Sequence, residues 1–234
     1  MKPKYKRILL KISGESLAGD KRHGFSSSAL AATAKQIATL NKAGVEVGIV
    51  VGGGNFWRGR EGDEMDRTSA DYMGMLATVI NALALSDALD RQGVDNRVMT
   101  ALAIDKIGEP YNVKTAKRYL SEGKVVVFGG GTGSPFFTTD TGASLKACEI
   151  QAEVLLLAKN IDGIYDSDPK TNPNAKKFDT LTYDEYVEKG LRALDTSAVV
   201  MCKENGLKIH AFGNLDENSI VNAVFAESDG TVVY

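Results

Sequence analysis

Four residues in this chain have the types and settings that phosphoryl transfer needs: Lys11, Arg58, Asp140 and Asp195. Lys11 ends the apolar run Ile8-Leu9-Leu10-Lys11-Ile12 and stands next to Ser13-Gly14. A lysine there either snorkels to solvent along its stem or meets an anion. Arg58 follows Gly52-Gly53-Gly54-Asn55-Phe56-Trp57, within reach of a phosphate at that loop. Asp140 follows Thr138-Thr139 at the start of a helix-like run, and Asp195 precedes another such run. Each aspartate is either a helix N-cap, worth ~1 kcal/mol, or a carboxylate that places a cation. Moving a phosphoryl group demands little covalent chemistry from a protein. It demands cations and N–H donors around the group, and carboxylates to place lysines or Mg²⁺.

The surrounding backbone offers those donors. The run Val125-Val126-Val127-Phe128 feeds into Gly129-Gly130-Gly131-Thr132-Gly133-Ser134-Pro135-Phe136-Phe137-Thr138-Thr139-Asp140, and a helix-like run follows from Thr141 to Glu153. Glycines let a backbone approach an anion closely, and free N–H groups at a helix start attract its charge. The same design recurs where Ile8–Ile12 meets Ser13-Gly14-Glu15-Ser16, and where Val47–Val51 meets Gly52-Gly53-Gly54-Asn55. Three such loops imply a protein that handles more than one phosphate group. Asp71, in Asp71-Tyr72-Met73-Gly74-Met75, lies near the start of a long helix. It either stabilises that N-terminus or accepts hydrogen bonds from a pair of sugar hydroxyls. His23 and His210 are isolated and receive no chemical role.

Two familiar nucleotide signatures are missing. No G-x-x-x-x-G-K-[ST] occurs, which excludes a P-loop. The strict G-x-G-x-x-G also fails, because Trp57 and Ser134 stand where the third glycine belongs.

The elements that position these residues alternate along the chain. Strands are expected at Arg7–Ile12, Val45–Val51, Asn96–Ala101, Lys124–Phe128, Val154–Ala158, Lys208–Phe212 and Thr231–Val233. Helices are expected at Ser27–Ala43, Ala70–Gln92, Val113–Glu122, Thr141–Ala152, Tyr183–Lys189, Thr196–Glu204 and Asp216–Ala226. Gly44, Gly93, Gly123 and Gly206 stand where helix C-caps belong. The pattern is α/β: a three-layer sandwich with a mostly parallel central sheet and helices on both faces. The irregular stretch Asp162–Asp179 reads as a surface loop, or as the loop over a nucleotide. The helix Ala70–Gln92 is apolar nearly all round and must be covered on two sides, by its own sheet or by another subunit.

The chain has 234 residues, is 43% hydrophobic and carries a formal net charge of −2. That suffices for one large domain, and no global field recruits nucleic acid or a membrane surface. The basic start Met1–Arg7 is followed by too few apolar residues for a signal peptide or a span, so a cytoplasmic protein is expected. Cys148 and Cys202 have no motif partners and are expected to be reduced, buried thiols.

These blocks resemble the bacterial uridylate kinases, a branch of the amino-acid-kinase superfamily, from Tyr5 to Val233. The lysine and triple-glycine elements occur across that superfamily. Asp71-Tyr72-Met73-Gly74-Met75-Leu76-Ala77-Thr78 and Thr132–Asp140 are similar to blocks of the uridylate branch, and Asp162–Pro169 matches as well. The resemblance implies ATP-dependent phosphorylation of UMP, with Mg²⁺ carried mainly by ATP and no protein metal ligand assigned. It implies one domain over residues 1–234, the N-terminal part mainly on the acceptor side and the C-terminal part mainly on the ATP side. Lys11, Ile12, Ser13, Gly14, Gly54 and Arg58 would meet ATP phosphates. Tyr165 and Asp168 would lie by its base and ribose, with Lys159 and Asn160 competing for a further position. Gly53, Asp71 and Thr132–Thr139 would hold UMP. Lys11, Arg58, Asp140 and Asp195 would be catalytic. A homohexamer activated by GTP and inhibited by UTP is implied, with Gly19–Gly24 loosely matching a stretch linked to the GTP response. Two alternatives stand beside this: a kinase of carbamate or a small carboxylate on the same fold, and a non-catalytic nucleotide-binding protein.

Overall fold

Long apolar runs of strand length, buried on both faces, dictate a parallel sheet at the centre of the molecule. The computed structural model describes residues 2–21, 23–57, 65–214, 216–226 and 230–234. Its main sheet contains Arg7–Ile12 (β1), Glu46–Val51 (β2), Asn96–Thr100 (β3), Glu109–Pro110 (β4), Val125–Gly129 (β5), Val154–Lys159 (β6), Thr180–Leu181 (β9), Lys208–Gly213 (β10) and Thr231–Val233 (β11). The nine strands run in the order β4-β3-β5-β2-β1-β6-β10-β11-β9. Among the described residues, only the β10–β11 pair of this sheet is antiparallel. Ile164–Tyr165 (β7) and Lys177–Phe178 (β8) form a separate antiparallel pair.

The helices are Gly14–Ala18 (α1), Ser27–Lys42 (α2), Arg67–Arg91 (α3), Val113–Ser121 (α4), Thr139–Glu149 (α5), Tyr183–Glu188 (α6), Thr196–Glu204 (α7) and Ser219–Phe225 (α8). Strand alternation sorts them into two layers. Ile8, Leu10 and Ile12 face a core closed by α2, α3 and α8. Leu9, Leu155 and Leu157 face the other core, under α4, α5, α6 and α7. Each fully buried aliphatic side chain there contributes roughly 1.5–3 kcal/mol, so the strand ends are a rigid platform.

The expected strands and long helices are all present. The glycine stops hold too: Gly44, Gly93, Gly123 and Gly206 have φ of 81°, 72°, 80° and 61°. Four corrections follow. Helix α3 begins at Arg67 rather than Ala70, because the Asp66 carboxylate caps it. Helix α5 begins at Thr139 rather than Thr141, because the Thr138 hydroxyl caps it. Helix α8 begins at Ser219 rather than Asp216. The stretch Asp162–Asp179 is not only loop, since β7 and β8 pair across it. The sequence pattern also missed α1, β4 and β9, elements too short to show periodicity.

Helix α3 is long and apolar enough to cross a membrane by composition, but half of its most apolar window is buried inside the fold. It packs on β3 and β5. Its other face leaves Tyr72, Met73, Leu76, Ile80 and Leu83 exposed. Its own sheet therefore covers only one side. Cys202 is buried, Cys148 is half-buried, and both are free thiols.

Candidate active site

The strand order turns at β1. From there β2, β5 and β3 extend to one side, and β6 and β10 to the other. In open α/β sheets such a switch point opens a crevice beyond the carboxyl ends of the strands. Lys11 stands two residues after Leu9, so it takes the face covered by α5. Its Nζ lies 2.8 Å from Asp140 Oδ1, with side-chain exposures of only 15% and 18%. Lys11 is thus not a solvated strand end.

The cap alternative for Asp140 is also overturned. Thr138 occupies that position, its hydroxyl accepting from the Asp140 and Thr141 N–H groups at 3.2 and 3.4 Å. The carboxylate is left to meet Lys11. Burial works to raise its pKa, but Lys11 and Lys159 together hold it below the ordinary aspartate value. Asp195 does sit at the N-cap of α7, yet it makes no capping hydrogen bond. It accepts from the Thr138 hydroxyl instead. Thr138 therefore starts α5 and ties both aspartates to one point. The segment before Asp195 is fixed by Tyr186, whose hydroxyl accepts from Leu194 N at 2.6 Å and donates to Leu194 O at 3.0 Å. Burial pushes that phenol up to about 12.

The three loops converge as their sequences imply. The Ile12 side chain is in the core, and its carbonyl accepts from Gly52 N at 2.9 Å. Ser13 caps α1, accepting from Glu15 N at 3.3 Å. A Cβ on Gly14 would lie 2.4 Å from both Asn55 Oδ1 and Gly52 O, so only glycine allows the first two loops to touch. Asn81 on α3, fully buried, locks this contact. Its amide donates to Gly52 O at 2.6 Å and to Asn55 Oδ1 at 2.7 Å. Leaving such an amide unpaired would cost about 1–3 kcal/mol. Sequence reasoning missed Asn81; its one signal is an amide within the apolar run Val79-Ile80-Asn81-Ala82-Leu83.

The third loop is tied to α3 as well. Gly130 N donates to Thr78 Oγ1 at 2.8 Å. Asp71 accepts from Phe136 N at 2.8 Å and from Arg67 Nε at 2.9 Å. Phe136 has φ of 71°, a left-handed conformation costing a bulky residue roughly 1–3 kcal/mol. Asp71 thus holds a strained turn. It lies one turn inside α3, which starts at Arg67 behind the Asp66 cap and has no acidic residue in its first turn, so the helix-start alternative does not hold.

Between α3 and this loop is a cleft of about 450 Å³, lined by Gly53, Gly54, Asp71, Thr132 and Phe137–Thr139. Gly133, Ser134, Pro135 and Phe136 form the outer turn and do not line it. A second cleft of about 600 Å³ contains Tyr165, Asp168, Arg192 and Lys159. There Tyr165 donates to Asp162 at 2.7 Å, and Asp168 accepts from Lys170 N at 2.9 Å. Asn160 faces elsewhere, into a cleft of about 690 Å³ beside α1 with Glu15 and Asn55. The two competing neighbours are thereby separated, and Lys159 goes with Tyr165 and Asp168. Arg58 lies outside the described residues.

Among the described residues no group of three or more His, Cys, Asp or Glu could hold a metal ion alone. Asp140 and Asp195 are hard oxygen donors, and a Mg²⁺ arriving on a nucleotide needs only one or two of these.

The amino acid kinase family model matches residues 6–213. Three solved structures are similar over nearly the whole chain. A UMP kinase from Bacillus anthracis has a TM-score of 0.90 and 35% identity, covering 98% of this chain and 96% of that one. A UMP kinase from Ureaplasma parvum has a TM-score of 0.90 and 36% identity, covering 97% and 98%. A uridylate kinase from Archaeoglobus fulgidus has a TM-score of 0.75 and 29% identity, covering 97% and 99%.

Proposed function

Because the chain belongs to the amino acid kinase family, we propose that it is a UMP kinase, transferring the γ-phosphoryl group of ATP reversibly to UMP to give UDP and ADP. The observation that carries this reading is the half-buried Lys11–Asp140 pair, 2.8 Å apart, at the sheet's switch point, next to Thr138 and Thr139 of one cleft and acted on by Lys159 of the other.

UMP takes the cleft beside α3, with Gly53 against its phosphate, Asp71 toward its ribose hydroxyls and, from the Thr132–Thr139 segment, Thr132 and Phe137–Thr139 along its uracil edge. ATP takes the cleft at Tyr165 and Asp168, its phosphates running toward Lys11, Gly14 and Gly54, with Arg58 also assigned to them. The acceptor side thus belongs mainly to the N-terminal part of one domain over residues 1–234, and the ATP side to the C-terminal part. A phosphate oxygen of UMP attacks the γ-phosphorus in line as the bond to the ADP oxygen breaks. The UMP phosphate dianion needs no general base. Lys11 neutralises charge that grows on the moving group, and Asp140 fixes the lysine's position. Mg²⁺ bound with ATP would neutralise further charge, with Asp140 and Asp195 as its available protein oxygens.

UMP is preferred to CMP, because an edge built for a carbonyl acceptor leaves buried groups unpaired against an amino donor. The exposed apolar face of α3, with Leu76 at 47% and Ile80 at 44% exposure, is the surface for self-assembly into a homohexamer. GTP activation, UTP inhibition, a place in pyrimidine nucleotide synthesis and a cytoplasmic location complete the reading.

One acceptor screen tests it. ADP release from ATP and Mg²⁺ is measured with UMP, CMP, acetylglutamate or no acceptor. Fast release with UMP alone is expected; equal kcat/KM for CMP removes the selectivity, and release only with acetylglutamate removes the assignment. An active monomer in light scattering at micromolar concentration removes the assembly.

A further inference from the structure

We propose that Lys159 is a second catalytic cation, whose ammonium leaves the Ala193 carbonyl for an oxygen of the transferring phosphoryl group. The inference rests on the phosphoryl-transfer reading above and deepens it.

Strand alternation puts Lys159 in line for this. On β6, Leu155 and Leu157 face the core under α5 and α7, and Lys159 is the next residue on that face. Strand β1 is its parallel neighbour, with Lys11 opposite Leu157 and Ile12 opposite Ala158. Lys11 and Lys159 therefore emerge from adjacent strand ends on one face. Asp140, Lys11 and Asp195 all act on the charge of Lys159. Lys159 also lines the cleft of Tyr165 and Asp168, so one side chain spans the donor pocket and the transfer centre.

Its hydrogen bonding leaves it available. An ammonium has three N–H donors. Among the described residues that of Lys159 makes one hydrogen bond, to the neutral Ala193 carbonyl, and has no carboxylate at ion-pair distance. Lys11, by contrast, already holds Asp140. Taking an ammonium out of water without an anionic partner is costly unless an anion arrives. Desolvation accordingly pulls the Lys159 pKa below the ordinary lysine value, against the opposing pull of Asp140 and Asp195. With Lys11 paired, this ammonium, on the same strand-end face and with no carboxylate at ion-pair distance among the described residues, has its charge available to follow the γ-phosphoryl oxygens. In the step the UMP oxygen–phosphorus bond forms, the bridging oxygen–phosphorus bond breaks with its electron pair going to ADP, and Lys159 keeps its proton throughout.

The test compares Lys159→Met, Lys159→Arg and wild type in steady-state and single-turnover assays, with thermal melts. Removing one preorganised charge contact lowers the rate on the order of 10²-fold. Lys159→Met is expected to lose that much kcat with both KM values within about threefold of wild type, the signature of an interaction made in the transition state. Lys159→Arg retains the charge and is expected to stay folded and clearly faster than Lys159→Met; if the latter does not fold, the arginine variant's rate decides. A normal kcat overturns the proposal. So does a raised KM for ATP at unchanged kcat, which would make Lys159 a ground-state anchor, and so does an arginine variant as slow as the methionine one. The acceptor reading fails separately: a wild-type chain that splits ATP with water but ignores UMP loses that reading, while the Lys159 comparison proceeds on the hydrolysis rate. Wild type inert toward both acceptors overturns both.

Discussion

Helix α5 carries a lysine–carboxylate cluster at each end, and the two differ in one respect. At its C-terminal end Lys146, 4% exposed, lies 2.9 Å from Glu149 Oε2. The Tyr111 ring lies 3.6 Å from the same ammonium, and its hydroxyl donates to Glu149 at 2.7 Å. Burial, then Glu149, pushes the Tyr111 pKa up. Here a tyrosine ring and its hydroxyl complete the pair, with the lysine side chain 5% and the glutamate side chain 28% exposed. At its N-terminal end Lys11 and Asp140 are paired as well, but Thr138 and Thr139 next to Asp140 line one cleft and Lys159 lines another, and among the described residues the Lys159 ammonium hydrogen-bonds only to a carbonyl. Burial and pairing are common to both clusters. The N-terminal one adds a second ammonium, that of Lys159, on the wall of a cleft, and that is what makes it a site rather than a brace.

Breaking the closed cluster should cost stability and spare chemistry. Glu149→Leu leaves a buried ammonium without its anion, a loss of about 3–5 kcal/mol. Adding Lys146→Met to it should recover most of that loss. Denaturant melts measure both variants, and kcat of the folded protein should stay near wild type. A large fall in kcat at unchanged stability would mean the brace also works in catalysis.

The open cluster should behave in the opposite way. Lys11→Ala is expected to lose ~3–4 kcal/mol of transition-state stabilisation, on the order of 10²–10³ in kcat, with little change in the melt. A variant retaining a third of wild-type turnover would put Lys11 outside the chemistry.

Asp71→Asn tests whether the rim of the open region is part of the same device. A neutral acceptor is weaker than an ionised one by about half, so UMP binding should weaken by roughly 1–2 kcal/mol, and ATP binding far less. Calorimetric titration with each nucleotide separates them. Equal loss for both would reduce Asp71 to the support of the Phe136 turn.

The smallest effect is in acid. The folded-state pKa of Asp140 lies below its ordinary 3.8, so the unfolded chain takes up the proton first as pH falls. The stability Asp140 contributes is present above pH 3.8 and is lost as pH drops through the lower folded value. Wild type should therefore out-melt Asp140→Asn near neutral pH, with the gap closing in acid. A gap that widens in acid would reverse the sign of that coupling.

The loops that hold the site were legible because their signals are local. Glycines after apolar runs, Thr138 ahead of a helix and Lys11 at a strand end all act within a few residues. The layered α/β architecture followed from the same alternation. Arg58, called from its loop, lies outside the described residues. Short elements such as α1 escaped because five residues cannot show a period. Asn81 escaped because its partners, Gly52 and Asn55, are 29 and 26 residues away.

By itself the sequence determined the residue inventory, the strand and helix periods, and hence which face of its own strand each side chain takes. Only the tertiary structure decided which strands are neighbours. Strand β6 lies beside β1 although Lys159 follows Lys11 by well over a hundred residues. That adjacency turns Lys159 from the end of an apolar run into a second cation at the transfer centre, and turns Asp140 from a possible cap into the partner of Lys11. The physical reason is that periodicity is written in local backbone geometry, whereas strand order is fixed by burying two whole faces of the sheet at once.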